Sequence, residues 1–349
     1  MNYNSQFQHL NLFKAYMRSL FLGIFLVIIL APAAFAQQDA QYTMFMFNRF
    51  VQNPAYAGAL KATNITGLGR AQWVGIPGAP NTMNASINGY SKALHGGLGA
   101  YLIGDKLGPL STMGIKGAYS FHLPFGDDKA YLNIGVAGGI YQKTLDGAWL
   151  YNQAGGVDPV LPVGKTNIIL PDLDGGLYFH VPMKNLTSTA YPQDKFYIGG
   201  GMSHILEPSI EGLTAVTNQT KSILSRGIQA SAGYTFNLGP TTFLQPNVNF
   251  RMAGPTSQFD LNLNLYVSPM VFGISHRGFV GTNNDSFSGI VGFNASTYLF
   301  VGYSYDYTTS GLGAFTTGSH EVIISYTFPS KYRIQPPRNG TRTLYHDAL

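Results

Sequence analysis

The chain has 349 residues, and only 11% of them are charged, against about 25% in an average soluble domain. Too little charge to cover a soluble surface argues against an ordinary cytosolic enzyme. An apolar content of 45% with a net charge of only +5 rules out disorder and gives no footing for a nucleic-acid partner. Past residue 36 no apolar run reaches the ~18 residues of a transmembrane helix, which leaves a β-rich chain that meets lipid on one face. There is no cysteine, hence no disulfide, no lipidated N-terminal cysteine and no thiolate metal site.

Residues 1–36 read as a signal peptide. Lys14 and Arg18 precede the apolar run Leu20 to Leu30, and Ala34-Phe35-Ala36 is an A-x-A cleavage site. The mature chain is then expected to start at Gln37, with Met17 as a candidate initiator and a retained anchor as the alternative. Residues 37–62 hold a dense apolar stretch, Tyr42 to Val51, followed by a turn signal at Asn53-Pro54. They are expected to pack as a short helix or coil in or beneath whatever the rest of the chain encloses.

From 63 to 328 the pattern has period two. Phe259, Leu261, Leu263 and Leu265 alternate with Asp260, Asn262 and Asn264, which puts one set on each face of a strand. Roughly fourteen such segments are expected, at 63–73, 81–92, 96–106, 110–122, 129–142, 169–180, 195–206, 226–238, 242–252, 257–267, 269–276, 285–295, 297–308 and 317–328. Strands of sandwiches average about 5–6 residues, whereas membrane-crossing strands need about 9–11. The predicted fold is therefore all-β: a closed antiparallel transmembrane barrel of the outer-membrane type, since lipid forbids an open edge.

The polar faces then line the lumen, with small residues Gly97, Gly99, Gly135, Gly199, Gly201 and Gly289 relieving crowding there. Tyr298, Phe300, Tyr303, Tyr305 and Tyr307 are expected in interfacial girdles. Connections after even strands are mostly tight, whereas 143–168, 207–225 and 309–316 follow odd strands and are long. That asymmetry places the long loops outside and both termini in the periplasm, with 181–194 as the exception. Residues 329–349 form a polar tail with Lys331, Arg333, Arg338 and Arg342, expected in the periplasm.

Catalytic signatures occur only as fragments. His320-Glu321 starts an H-E-x-x-H pattern, but Ile324 stands at the second His, and strand neighbours face opposite sides. Asp172-Leu173-Asp174-Gly175 has the flavour of a calcium loop without its Glu and reads as turn chemistry. Ser203-His204 are neighbours on a strand and cannot form a nucleophile–base pair. No catalytic residue, cofactor or metal site is expected.

Several motifs carry a resemblance. These are Gln41-Tyr42, Met46-Phe47-Asn48, Asn53-Pro54-Ala55-Tyr56-Ala57-Gly58, and Arg70-Ala71-Gln72-Trp73-Val74-Gly75-Ile76-Pro77-Gly78-Ala79-Pro80. Gly97-Leu98-Gly99 and Asp105-Lys106-Leu107-Gly108-Pro109 follow in order, then Ser203 to Leu206, Ser304 to Tyr307 and Ser319 to Val322. In these the chain resembles the PorP/SprF family of outer-membrane proteins of the Bacteroidetes type IX secretion system. Arg49 stands where members usually carry Pro. The resemblance implies a barrel in outer-membrane lipid that assists export or display of adhesins, including gliding adhesins. Its implied partners are substrates with a sorting domain and periplasmic secretion components. Asn48, Asn53, Pro54, Tyr56, Gly58, Trp73, Gly78, Pro80, Asp105, Lys106, Gly108 and Pro109 are the candidate contact residues. A passive porin or hydrophobic-solute transporter is the competing reading, and an outer-membrane enzyme a third.

Overall fold

The computed structural model describes residues 40–126, 130–146, 164–183, 194–210, 213, 223–254, 256–279 and 283–328. The expected signal peptide and polar tail lie outside these residues, as do most of 143–168, 181–194 and 207–225. The strands are β1 (Asn64–Ala71), β2 (Asn81–Ser91), β3 (Gly96–Leu107), β4 (Leu110–Phe125), β5 (Ala130–Leu145), β6 (Thr166–Pro182) and β7 (Asp194–Ser203). β8 comes in two pieces, Gly227–Tyr234 and Phe236–Gly239. Then follow β9 (Thr242–Ala253), β10 (Thr256–Val267), β11 (Met270–Phe279), β12 (Asn283–Asn294), β13 (Leu299–Thr308) and β14 (Ser319–Thr327). Both pieces of β8 pair with β9, so they make one crossing, interrupted at Thr235.

Each strand is antiparallel to the next, and β14 returns to β1 with Thr327 opposite Asn64 and His320 opposite Ala71. Fourteen strands thus close on themselves and leave no edge to satisfy in lipid. The alternation inverts the burial of a soluble protein. In β10, Asp260, Asn262 and Asn264 are buried inside while Leu261 and Leu263 are exposed outside.

The cylinder has two distinct ends. Connections after odd strands form what we call the loop end, which carries 72–80, 146–165, 204–226 and 309–318. At the other, terminal end the connections include 92–95, 240–241, 268–269 and 295–298, and Phe328 N–H donates to Thr63 O (2.8 Å) where β1 and β14 emerge.

Four expectations change. Phe300 is buried in the lumen, not in a girdle, because β13 turns its even-numbered residues inward while Tyr303, Tyr305 and Tyr307 face out. Gly289 faces lipid with Phe287 and Val291, since Ser288 and Ile290 hold the inward positions. Asp172 to Gly175 forms no turn: it lies inside β6, with both carboxylates in the lumen. Trp73 lies beyond the end of β1 with a left-handed φ of 51°. The lumen wall is also not uniformly polar. Leu68, Phe243, Val271, Ile290, Phe300 and Ile323 point inward, against Tyr42, Met44, Phe45 and Met46.

Candidate functional site in the barrel lumen

Residues 40–62 run through the lumen as a strap. Three short turns shape it: Phe45–Phe47, Arg49–Gln52 and Pro54–Tyr56. Asn53 caps the last, its Oδ1 accepting from Ala55 N–H (2.9 Å), with Pro54 at the position where a missing N–H is harmless. A strap with so little regular structure leaves many backbone groups open, and the barrel wall answers them.

Near the loop end, Ala40 O accepts from Arg251 (3.0 Å). Thr43 and Met44 N–H both donate to the Glu321 carboxylate (2.9 and 2.8 Å). Thr43 Oγ1 donates to Asp306 (2.8 Å) and accepts from Arg70 (3.0 Å). Arg70 in turn bridges Glu321 (2.9 Å) and Asp306 (2.7 Å), and Arg277 pairs with Asp260 (2.9 Å).

Further along the strap, Asn48 donates to Asn84 (2.7 Å). The Arg49 guanidinium donates to Asp194 and to the Tyr178 hydroxyl (both 2.9 Å) and lies 3.7 Å from the centre of the Tyr197 ring.

Asn53 Nδ2 donates to Leu177 O (2.9 Å) and Gly200 O (3.2 Å). Ala55 O accepts from Ser120 (2.9 Å), and Ala57 O meets the His122 ring (2.9 Å). Gly58 N–H donates to Asn88 (3.1 Å) near the terminal end. A cavity of about 10 Å³ beside Arg49 and Asn53 has room for about one water.

The wall glycines explain how backbone meets backbone. A Cβ on Gly135 would stand 2.2 Å from Ala55 N, one on Gly97 2.0 Å from Ala57 O, and one on Gly176 2.1 Å from Asn53 Oδ1. Five of the six glycines expected in the lumen cradle the strap: Gly97, Gly135 and Gly201 face its backbone, Gly99 the Phe50 ring and Gly199 the Asn53 side chain. Apolar contacts fill the rest, including Phe47 against Phe300 (4.9 Å) and Phe50 edge-on to Tyr101 (5.5 Å).

The candidate contact residues therefore fall into two groups. Asn48, Asn53, Pro54, Tyr56 and Gly58 belong to the strap. Trp73, Gly78, Pro80, Asp105, Lys106, Gly108 and Pro109 sit at the loop end, where backbone bonds link neighbouring connections into a rim. Trp73 N–H donates to Ser319 Oγ (3.1 Å). Val74 N–H donates to Gly318 O and Gly108 N–H to Gly78 O (both 2.8 Å). Asp146 N–H donates to Pro109 O (2.9 Å), and Gln72 N–H to Pro80 O (2.9 Å). Asp105 accepts from Thr82, and Lys106 is exposed.

Arg70 and Asp306 fall within the motifs quoted above, and Arg49 stands at the position where members usually carry Pro, but no motif shows which residue each one pairs with; Asp194 and Arg251 lie in no quoted motif.

Asp172, Asp174 and His204 come close enough to hold a cation. The Lys116 ammonium already pairs with both carboxylates, 2.6 Å from Asp174, while His204 Nδ1 meets Asp172 (2.7 Å). An internal cation thus bridges the two carboxylates. His320 and Glu321 do face opposite sides: Glu321 is in the lumen, and His320 lies outside against the Tyr303 hydroxyl (2.7 Å).

A closed antiparallel barrel with an apolar exterior and a polar lumen defines an integral outer-membrane protein. The family described as type IX secretion system membrane protein PorP/SprF matches residues 34–326, and the chain belongs to that family. No curated protein matches. Among solved structures, Omp33 of Acinetobacter baumannii is 12% identical, with a TM-score of 0.40 over 77% of this chain and 98% of that one. A FadL homologue of Pseudomonas aeruginosa is 12% identical, with a TM-score of 0.41 over 81% and 92%. A triple mutant of the Rhodopseudomonas blastica porin is 10% identical, with a TM-score of 0.33 over 76% and 99%.

Proposed function

We propose that this barrel is a closed accessory of the type IX secretion machinery that works by binding at its ends, not by conducting through its middle and not by catalysis. The observation that carries this reading is the strap. From Ala40 to Gly58 the chain's own residues run through the lumen and are hydrogen-bonded, through backbone and side chains, to β2, β4, β6, β9 and β14 around the wall. A passive porin needs a water-filled channel along the same axis.

The remaining surfaces are the rim at the loop end and the connections at the terminal end. With long loops facing outside, as is usual for bacterial barrels, the rim built on Trp73, Gly78 and Gly108 would hold an exported adhesin. The terminal end and the tail would meet periplasmic components.

Two measurements test this. In planar bilayers the intact protein should be silent, and a variant lacking 37–62 should conduct. A deletion strain should lose surface display of a sorting-domain adhesin while its outer-membrane permeability stays unchanged. Large steady channels from the intact protein, or normal display in the deletion strain, would overturn the reading.

A further inference from the structure

We propose that the strap is threaded so that the N-terminal end of the mature chain lies at the outer face of the membrane, opposite the C-terminal tail, in place of the two periplasmic termini expected from loop length. The outer placement rests on the orientation given above; the threading itself does not.

The direction of the strap is written in its partners. Residues 40–44 are held by Arg251, Arg70, Asp306 and Glu321. Each lies within about three residues of the loop-end terminus of its strand: β9 ends at Ala253, β1 at Ala71 and β13 at Thr308, and β14 starts at Ser319. Residues 57–61 are held at the opposite end. Gly58 meets Asn88 near the end of β2 and lies against Gly97 at the start of β3. Ala57 and Lys61 meet His122 near the end of β4. The strap thus crosses the lumen and then turns into β1 at the terminal end, beside Phe328.

The loop-end anchor is built for a peptide. Arg70 pairs with Asp306 and Glu321, and Arg277 with Asp260. Each carboxylate has more acceptor positions than its guanidinium partners occupy, and Thr43 N–H, Met44 N–H and the Thr43 hydroxyl donate to Glu321 and Asp306 at those positions. A strap that ended lower in the lumen would leave those buried acceptors short of partners.

The absence of native cysteine makes single-cysteine labelling clean. Three full-length variants are compared in intact cells with a membrane-impermeant maleimide: a Gly-Ser-Cys tag inserted directly before Ala40, Ala314→Cys in the connection between β13 and β14, and a cysteine appended after Leu349. The tag and Ala314→Cys should label in intact cells, and the tail only after permeabilisation. A tag that labels only together with the tail overturns the threading. Labelling of the tail but not of Ala314→Cys in intact cells overturns the orientation and with it the outer placement; which of the two the tag then follows still decides the threading. As a check independent of the tag, Ala40→Cys with Arg251→Cys should be joined by a short bis-maleimide and recovered as a cross-linked peptide. Its absence from folded barrels also overturns the threading.

Discussion

Gly135→Ala adds one carbon to the barrel wall where it faces the strap. Gly135 is mid-strand in β5, paired on one side to Ser120 and on the other to Gly176, so the wall has little freedom to retreat. The new Cβ would stand 2.2 Å from Ala55 N and 2.4 Å from both Ala55 Cα and Pro54 C. None of these is the tip of a flexible side chain. Overpacking of this kind costs about 1–3 kcal/mol, which converts to roughly a 5–150-fold shift in a two-state population. Here the two states are strap in and strap out. Gly138→Ala is the control: it lies three residues on in the same strand, faces lipid, and has only Leu173 Cδ1 at 4.0 Å. In planar bilayers the open-lumen events of Gly135→Ala should rise by that factor over wild type, while Gly138→Ala stays silent. Should Gly135→Ala fold, keep the wild-type melting temperature and remain silent, the strap does not sit where the wall glycines imply.

Arg49→Met should destabilise the strap by less than the about 3–5 kcal/mol of a fully uncompensated buried charge, because Asp194 loses its guanidinium but keeps the His180 ring and the Tyr178 hydroxyl (both 2.7 Å); adding Asp194→Asn should recover part of the loss, read by thermal melting in detergent. Glu321→Gln removes the charge from the bonds to Thr43 and Met44 N–H. Charge-assisted bonds contribute about 1.5–3 kcal/mol, so hydrogen exchange at those two amides should speed up at least about tenfold while exchange in β14 changes little. Gly78→Val and Gly108→Val place a branched side chain at φ 76° and 56°, at a cost on the order of 1–2 kcal/mol each. They should reduce adhesin display in whole-cell blots without making the barrel conduct.

The barrel was legible in the sequence because a boundary between lipid and water imposes period two on every strand, as Phe259 to Leu265 shows. The strap's contacts were not. The Asn53-Pro54 turn follows from local chemistry, but its acceptor Leu177 O lies 124 residues away in sequence. Phe300, Leu68 and Ile323 break the polar-in rule because Phe45, Phe47 and their neighbours need apolar partners. The adjacent pair Ile323-Ile324, apolar on both faces of one strand, was the visible trace of that demand. The lumen glycines were placed correctly for the most part, as relief of crowding in the lumen, but the sequence did not show that a second stretch of this chain is what crowds them. Asp172 to Gly175 misled because Asp and Gly are turn residues by local preference, whereas Lys116, two strands away on β4, gives both carboxylates a use within a strand.

The buried charges pose a last question, since a buried ion pair is weak evidence for stability. An apolar lumen filled by an apolar strap would pack as well. It would also make each strand apolar on both faces, and runs of that kind in an exported chain approach the length and character of helical membrane segments. Polar lumen residues avoid this, but once a strap excludes water from them they must be paired within the protein. The pairing then fixes the strap. Arg49 reaches Asp194 only if Thr43 and Met44 meet Glu321 at one end and Asn53 enters the glycine cradle at the other. A slip of one residue would misplace all three contacts together. On this argument the ion pairs set the register of the strap rather than supply its affinity. Charge-neutral replacement of Arg49 and Asp194 together should then leave the strap in the lumen but broaden the hydrogen-exchange protection along residues 43–57.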